Sequence, residues 1–597
     1  MRKIFSFICL LLVSVMAMPC TNLIVGKKAS ADGSVIISYS SDSYGMFSSL
    51  YYKPRMKHAK GAMRPIYHYE TSNYLGEIPE PEETYQVTGF LNEYQLSIME
   101  TTFGGRPELD GGPGMMDYGS LMWIALERCK TAREAIKLID ELCQEYGYQC
   151  SGESFTIADK NEVWIMELIG KGKEEKGAVW VALRMPDDMI SAHANHSRIR
   201  KFPLKDKENC MYSKDVITFA RKKGYFNGKD KDFSFSEAYA PIDFGAKRYC
   251  EARVWSFFNK WAAEDMKPYL PYAMGKDTDP KTQQPLEGVP HEMPLWVKPK
   301  QLLSTQDVKD MMRDHYEGTP MDITEGLGGL PWQMPYRVTP LSYKVDGKEY
   351  FNERPISTVQ SSAIYVAQMR DYLPDYIGGV LWFGNDDANM VALTPIYSCL
   401  EAVPECYSQK LADATTFSFR NAYWMCNWVS NMVYYRYNLL FPELQAVRDR
   451  LEKDFNSVQA LMESKAKEMG EAEGKKFLSD YSLRMSGMMM DEWMQLAQKL
   501  IVKYNDIREK RQKAARDRWS KKQTGDSRTI EMPGDSALVM RGKISNMPKD
   551  ISEFISRTGY TDFENIRSFN EYCNFHGWAS SLESMQKAYE DWKADNE

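Results

Sequence analysis

Cys20 is the residue of this 597-residue chain whose chemistry changes most with its position. It opens the run Cys20 to Val25 and follows a stretch that reads as removable. As a mature N-terminus it would hold a nucleophile and a base in one residue. A free α-amino group titrates near ~7.7 to 8.0 and a thiol near ~8.5, so the amine can take the thiol proton without a histidine. Two other uses of a cysteine at this place are a leftover pro-segment residue and the acylated cysteine of a lipoprotein. Ala17, Met18 and Pro19 lack the aliphatic, small, small pattern of a lipidation site.

The segment before Cys20 has the layout of a secretory signal. Arg2 and Lys3 precede an apolar run from Ile4 to Val15 that is too short to span a bilayer. Val15, Met16 and Ala17 form an acceptable cleavage site, whereas Pro19 makes cleavage directly before Cys20 poor. The expectation is a signal peptide at 1–17, a pro-segment at 18–19 removed by a second cut, and an exported protein, periplasmic or extracellular. No later stretch approaches 18 uninterrupted apolar residues, so no membrane span is expected.

Other chemistries find less support. His193 and His196 stand three apart without the glutamate of a His-Glu-x-x-His pair, which makes them core or surface histidines in preference to metal ligands. The eleven cysteines form no paired Cys-x-x-Cys knuckles, which argues against zinc; disulfides are open to an exported chain but their pairing is not readable. A serine triad lacks its Gly-x-Ser-x-Gly elbow. A net charge of -7 with 43% apolar and 26% charged residues describes a globular chain and excludes nucleic acid as a general partner. The basic run from Arg508 to Lys522 is interrupted by Glu509 and Asp517 and reads as a solvated helix face.

The elements that must position Cys20 begin with a hairpin: Leu23 to Val25, a turn at Ala31 to Ser34, then Val35 to Tyr39. Strands are expected at Ser154 to Ala158, Val163 to Leu168 and Ala178 to Arg184, and at Ser357 to Ala367, Gly379 to Phe383 and Met390 to Pro395. A helix starts at a capping box from Thr131 to Glu134, carries an apolar stripe through Ala135, Ile136, Ile139, Leu142, Cys143 and Tyr146, and stops at Gly147. Gly104 to Gly114 and Lys276 to Pro290 read as long loops, either plain surface connections or cleft borders. From about Phe417 to Lys522 the pattern is helical, residues 524–547 form a linker candidate, and a short helical module covers 548–597.

Short motifs in order along the chain carry a family resemblance: CTN at 20–22, ASADGS at 29–34, NE at 92–93, ETT at 100–102, LER at 126–128 and TAREA at 131–135. ESFTIAD at 153–159, WIMELIG at 164–170, PDD at 186–188, HANHSRI at 193–199, RDHYEGT at 313–319 and RPIST at 354–358 continue the series. In these the chain resembles the cysteine dipeptidases of the N-terminal-nucleophile hydrolases, relatives of penicillin V acylase and bile-salt hydrolase. The resemblance covers Cys20 to about residue 440.

What the resemblance implies is an α+β fold, a four-layer αββα sandwich with an α-rich C-terminal region, comprising a dipeptidase domain at 20–440 and a helical region at 441–523. It implies dipeptide substrates and no metal or other cofactor. The catalytic set would be Cys20 with Asp42, Asn195 and Arg253. Asp42 would hold the Cys20 ammonium or the substrate amine, or else be a plain strand-end carboxylate. Asn195 resembles the oxyanion-hole asparagine, with turn capping as its alternative. Arg253 would orient Cys20, bind the dipeptide carboxylate, or make a structural ion pair. Glu100 and Thr102 would contact substrate, Thr102 standing where the acylases carry an asparagine. Glu93, Glu100, Asp42 and Arg253 favour charged substrate ends. Tyr39 departs from the family pattern, in which an arginine stands three residues before the acidic one. The remaining alternatives are an acylase-type amidohydrolase on the same fold and a non-catalytic, lipid-anchored binding protein.

Overall fold

In the computed structural model of the chain, the description covers residues 20–505 apart from 44–45, 280, 283, 326–328, 330–331 and 338–341. The signal and pro-segment expected at 1–19, the Arg508 to Lys522 run, the linker at 524–547 and the module at 548–597 lie outside the described residues.

Two antiparallel sheets dominate a mixed α and β architecture. The chain starts with the hairpin expected from its apolar runs, strands Thr21–Val25 and Val35–Asp42, joined by a turn with Gly33 at φ +77°. The Asp32 carboxylate accepts from the Ser34 amide at 3.1 Å, a local bond that favours the turn over a continued strand. Pairing sets Thr21 against Ser40 and Asn22 against Tyr39, so Cys20 comes to lie at the Ser41 and Asp42 end of the partner strand. All residues of both strands are buried, and apart from Asn22, Tyr39 and Asp42 their runs are apolar or small on both faces.

These two strands form the centre of a seven-stranded sheet whose order runs Trp296–Val297, Ile190–His193, Thr21–Val25, Val35–Asp42, Ser361–Met369, Val380–Asn385 and Thr394–Tyr397. The second sheet has eight strands: Cys210–Tyr212, Ala178–Arg184, Val163–Gly170, Gly152–Ala158, Ser97–Gly104, Leu91–Asn92, Val87–Thr88 and Tyr52–Lys53. The expected strand over Met390 to Pro395 is displaced. Ala388–Met390 forms a 3-10 turn capped by the Asp387 carboxylate, and pairing begins only at Thr394. Likewise Ser357 gives its hydroxyl to Asp387 at 2.5 Å and stays outside the strand, which starts at Ser361.

Helices cover the sheets. Tyr118–Arg128 and Ala132–Tyr146 pack on strands of the eight-stranded sheet, and Ala252–Met266 and Thr305–Met311 on strands of the seven-stranded one. The Ala132–Tyr146 helix begins where Thr131 accepts from the Glu134 amide, while the Glu134 carboxylate reaches back to the Lys130 amide at 2.8 Å. It ends at Gly147, at φ +79°, where an added Cβ would lie 2.2 Å from the Pro113 carbonyl oxygen. Only glycine fits there.

Helices Ala422–Tyr434, Tyr437–Met469 and Glu471–Tyr504 follow. The chain divides into two compact units. The larger takes in residues up to 321, 337–432 and 442–497, and holds both sheets. The described part of the smaller takes in 322–325, 329, 332–336, 433–441 and 498–505; in it Arg436 lies 3.9 Å from the Trp332 ring centroid and Tyr336 packs edge-on to Tyr434.

Within the larger unit the Tyr437–Met469 helix is docked by buried charge. Arg313 reaches both oxygens of Glu452, at 2.5 and 3.2 Å, and Arg370 grips Glu463 at 2.7 and 2.9 Å. Burial works to raise the Glu452 carboxyl, but the charges of Arg313 and Lys309 overcome it and hold the group down at about 2. Removing one partner of such a pair leaves a charge buried alone. Glu452→Ala is therefore expected to cost about 3–5 kcal/mol of stability, read as a lower urea midpoint; an unchanged midpoint would show that the pair does not anchor the helix.

Candidate active site

Cys20 lies at the head of the first strand, 1% exposed, with its thiol turned inward. Its Sγ stands 3.5 Å from the Tyr39 hydroxyl and 3.8 Å from Glu100 Oε1. Tyr39 in turn donates to the same Glu100 oxygen at 2.7 Å. Burial first, then the negative charges of Glu100 and Asp42, raise the thiol well above its ordinary range. As placed, the group is a protonated thiol waiting for a base.

Arg253 fixes the residue from the other side. The Ala252–Met266 helix that carries it is preceded by a π-helical turn at Ala246–Glu251. Its Nη1 donates to the Cys20 carbonyl oxygen at 2.6 Å and to Thr21 Oγ1 at 2.7 Å. Nη2 donates to the Ala194 carbonyl at 3.0 Å and to Asn195 Oδ1 at 2.9 Å, and Nε to the Tyr249 carbonyl at 2.6 Å. A guanidinium has five N–H groups, and these five acceptors use them all. Of the uses the sequence leaves open for Arg253, the geometry fits orientation of Cys20 and leaves no donor for a substrate carboxylate. Burial, then the nearby charge of Arg354, lowers Arg253 to about 10, so it remains a cation at neutral pH.

Asn195 sits in the left-handed region at φ +65°, which asparagine tolerates better than most residues. Its Nδ2 donates to the Thr102 carbonyl at 2.9 Å. Asn22 does the same to the Glu100 carbonyl at 2.8 Å. Both amides meet the edge of the Ser97–Gly104 strand, whose neighbour Leu91–Asn92 pairs with it only at Ser97. Side-chain amides thus occupy carbonyls that a further strand would otherwise take.

Strand register then assembles the acidic part. Thr102 is opposite Glu153 and Glu100 opposite Phe155, so Glu100, Thr102 and Glu153 share one face of the pleat. Thr102 Oγ1 donates to Glu153 Oε1 at 2.7 Å, and the Glu153 and Glu100 carboxyls are hydrogen-bonded to each other. A ring of contacts closes: Cys20, Arg253, Asn195, Thr102, Glu153, Glu100 and back to the thiol. On the opposite face His193 is held between Thr101 and Thr156 at 2.7 and 2.6 Å. Burial lowers His193 to about 3 and His196 to about 4, so both are neutral core histidines. Among the described residues no group of three or more His, Cys, Asp or Glu is arranged to hold a metal, and the nine described cysteines are all free thiols.

Asp42 ends the second strand, fully buried, and is partnered. Arg354 Nη2 lies 2.5 Å from its Oδ2, Ser40 donates to the same oxygen at 2.9 Å, and Ser361 donates to Oδ1 at 2.6 Å. The Asp42 main-chain N–H is bonded to the Cys20 thiol. The structure therefore brings together Cys20, Asp42, Glu100, Thr102, Asn195 and Arg253. Glu93 is engaged elsewhere, with Arg55 at 3.0 Å and the Gln86 amide at 2.7 Å.

Three participants have no role that the sequence alone assigns. Glu153 is detectable in principle, as the ionisable residue of the strand Gly152–Ala158, whose register with Ser97–Gly104 decides its neighbours. Tyr39 stands out only as a missing arginine, yet its hydroxyl bridges thiol and carboxylate. Arg354 carries the positive charge to Asp42 from more than three hundred residues away, and nothing local signals that.

The model of peptidase family C69 matches residues 19–450. The chain belongs to that family. Among curated proteins it is similar to a probable dipeptidase of Salmonella dublin, 26% identical over 421 residues, covering 66% of this chain and 85% of the relative. A probable dipeptidase of Latilactobacillus sakei is 26% identical, covering 68% of this chain and 79% of its own length, and a dipeptidase of Bifidobacterium longum (strain NCC 2705) is 25% identical, covering 68% and 75%.

Glu100→Gln removes a negative charge beside Sγ and should stabilise the thiolate. The expected outcome is a thiol that ionises at lower pH, with alkylation of Cys20 at pH 8 faster by about tenfold for every pH unit by which its titration moves down. The pH–rate profile of iodoacetamide labelling, followed by peptide mapping, reads this directly. An unchanged profile would show that Glu100 carries no charge near the thiol.

Proposed function

We propose that the chain is an exported dipeptidase whose nucleophile is Cys20 and whose base is the α-amine freed when residues 1–19 are removed. The observation that carries this reading is a buried thiol at the head of the first strand, its carbonyl held by a buried arginine and its Sγ facing carboxylates, in a chain of a peptidase family. The names of the relatives supply the substrate class. The four-layer sandwich of N-terminal-nucleophile hydrolases is the fold we infer; helices packed against each of the two sheets support it.

In the proposed reaction the Cys20 amine takes the thiol proton and the thiolate attacks the peptide carbonyl carbon. The C–S bond forms as the carbonyl π pair moves onto oxygen, and the oxyanion is met by the Asn195 amide, a donor type worth about 10²–10³ in rate. The Cys20 ammonium then protonates the leaving amine, the first amino acid departs, and the amine activates water against the thioester. Arg253 holds the main chain of the nucleophile against recoil. The Asp42 carboxylate, already oriented by Arg354, Ser40 and Ser361, would receive the Cys20 ammonium.

Two alternatives fit the geometry less well. An acylase needs an apolar acyl slot, whereas Glu100 and Glu153 line this side of the thiol. A lipoprotein needs Cys20 Sγ outside the fold, whereas it is directed at Tyr39 and Glu100.

Intact mass and N-terminal sequencing of the protein from its native host should find Cys20 first with an unmodified amine. Cys20→Ala, made in a chain beginning at residue 20, should keep the native circular-dichroism spectrum and lose at least about 10³ in kcat/KM on free dipeptides. A mature terminus at Met18, a lipid on Cys20, or retained turnover in the variant would each refute the mechanism.

A further inference from the structure

Glu100 and Glu153 each leave one oxygen without a donor, whereas Asp117, Asp159, Glu167 and Asp386, buried in the larger unit without an ion pair, take donors on both oxygens. Asp42, Glu452 and Glu463 each meet an arginine. Glu100 and Glu153 meet no Lys, Arg or His among the described residues, although Glu100 is 3% and Glu153 0% exposed. One oxygen of each, Glu100 Oε2 and Glu153 Oε2, is buried and takes no donor. Asn22 Oδ1 is a further buried acceptor without a donor, on a side chain bonded to the Glu100 main chain. Three acceptors and no cation, within reach of the thiol, describe a site built for a small group rich in N–H donors.

Taking the dipeptidase reading as its basis, we propose that the Glu100–Glu153 pair seats the substrate's α-ammonium, and that the ammonium displaces to solvent the proton that the two carboxyls share before it binds. The exchange balances: the O–H bond of one carboxyl breaks, its proton goes to buffer, and both carboxylates accept N–H bonds from the arriving cation. Two carboxylates this close cannot both ionise without a cation between them. Burial first, with the hydrogen bonds of Tyr39, Glu153 and Cys20 opposing it and the Glu70 charge adding to it, brings Glu100 up to about 7; burial and the charge of Glu100 raise Glu153 well above the carboxylate range.

Among the described residues no Lys, Arg or His side chain faces the pair, and the cation that processing would add nearby, the Cys20 ammonium, is assigned by the proposed mechanism to Asp42. Cys20 and Tyr39 face the pair from the seven-stranded sheet, and Tyr118 from its helix. Tyr69 and Glu70 face it from the turn between strands Met63–Tyr67 and Tyr74–Pro79, with Glu70 held by the Tyr118 hydroxyl at 3.1 Å. Tyr148 and Cys150 face Glu153 from the approach to its strand. All are neutral or anionic. The pair would read a free N-terminus at a fixed distance from the nucleophile, which limits cleavage to the first peptide bond.

The test is isothermal calorimetry of Ala-Ala binding to the processed full-length chain carrying Cys20→Ala, at pH 6.5 in buffers of different ionisation enthalpy. About one proton should be released per peptide bound. Adding Glu153→Gln should weaken binding and abolish the release, and N-acetyl-Ala-Ala should neither bind nor release a proton. Binding without release, or equal release from the Glu153→Gln chain, overturns the proposal. Should the Cys20→Ala chain fail to fold, the wild-type enzyme decides: KM for Ala-Ala should rise about tenfold per pH unit on the acid side of the pair's titration. Glu153→Gln should move that limb to lower pH, and an unmoved limb overturns the proposal. Hydrolysis of Ala-Ala and N-acetyl-Ala-Ala at equal rates removes the ammonium seat alone, whereas no hydrolysis of any free dipeptide removes the dipeptidase reading and this inference with it.

Discussion

The buried guanidinium of Arg253 is the interaction on which the site depends. Its five N–H groups tie the head of the first strand, the turn at Ala194 and Asn195, and the start of its own helix into one unit. A buried cation without a carboxylate partner is costly, and here five carbonyl and hydroxyl oxygens replace the ion pair. That choice has a consequence for chemistry. The positive charge holds Cys20 by its main chain while staying off the thiol, whose pKa remains high. Lysine could not reproduce the arrangement, since its three donors on a flexible stem cannot span acceptors on three segments.

Charge is partitioned around Cys20 in a way that separates holding from reacting. On one side Asp42 is matched to Arg354 and braced by two serine hydroxyls, a fixed negative charge at the end of a strand. On the other, Glu100 and Glu153 lack any such match, and burial raises both carboxyls. Both sides oppose ionisation of the thiol, so neither can serve to activate it by field alone. A cysteine in this setting needs a base that arrives with it, and an N-terminal amine is such a base. On the proposed mechanism, burial that would silence an ordinary cysteine is compatible with Cys20, because the proton would travel only within the residue.

The parts of the fold readable from sequence are those set by local pattern. The first hairpin, the Thr131-capped helix ending at Gly147, and the strands Val163–Gly170 and Ala178–Arg184 follow from alternation, capping and turn residues within a few positions. The strand expected at Met390 slips to Thr394 because Asp387 captures the Asn389 amide and starts a 3-10 turn, a competition that hydropathy alone does not resolve. Cys20, Asn195, Arg253 and Asp42 stand out through motif resemblance, and the structure gathers them. Glu153 and Arg354 require register and long-range packing. Whether Glu153 faces Thr102 depends on a one-residue choice in strand pairing, and whether Arg354 meets Asp42 depends on a chain path of hundreds of residues.

The C-terminal helices bear on where the catalytic fold ends. The family match stops at residue 450, inside the Tyr437–Met469 helix. Glu452 and Glu463 lie just past that point on the same helix, yet they neutralise Arg313 and Arg370, and Arg370 directly follows the strand Ser361–Met369. That strand pairs with Val35–Asp42, which in turn pairs with the strand that begins beside Cys20. The Tyr397 hydroxyl also donates to Glu463 at 2.9 Å, and the Tyr397 amide to Ser482 Oγ of the next helix at 3.2 Å. Stripping residues beyond 450 would leave the buried Arg370 guanidinium without its counter-charge and Arg313 with only the exposed Asp310, under the sheet that carries Cys20. The helical segment to about residue 497 is thus a structural layer of the same unit, and its buried glutamates are part of what keeps the strand carrying Asp42 in register with Cys20.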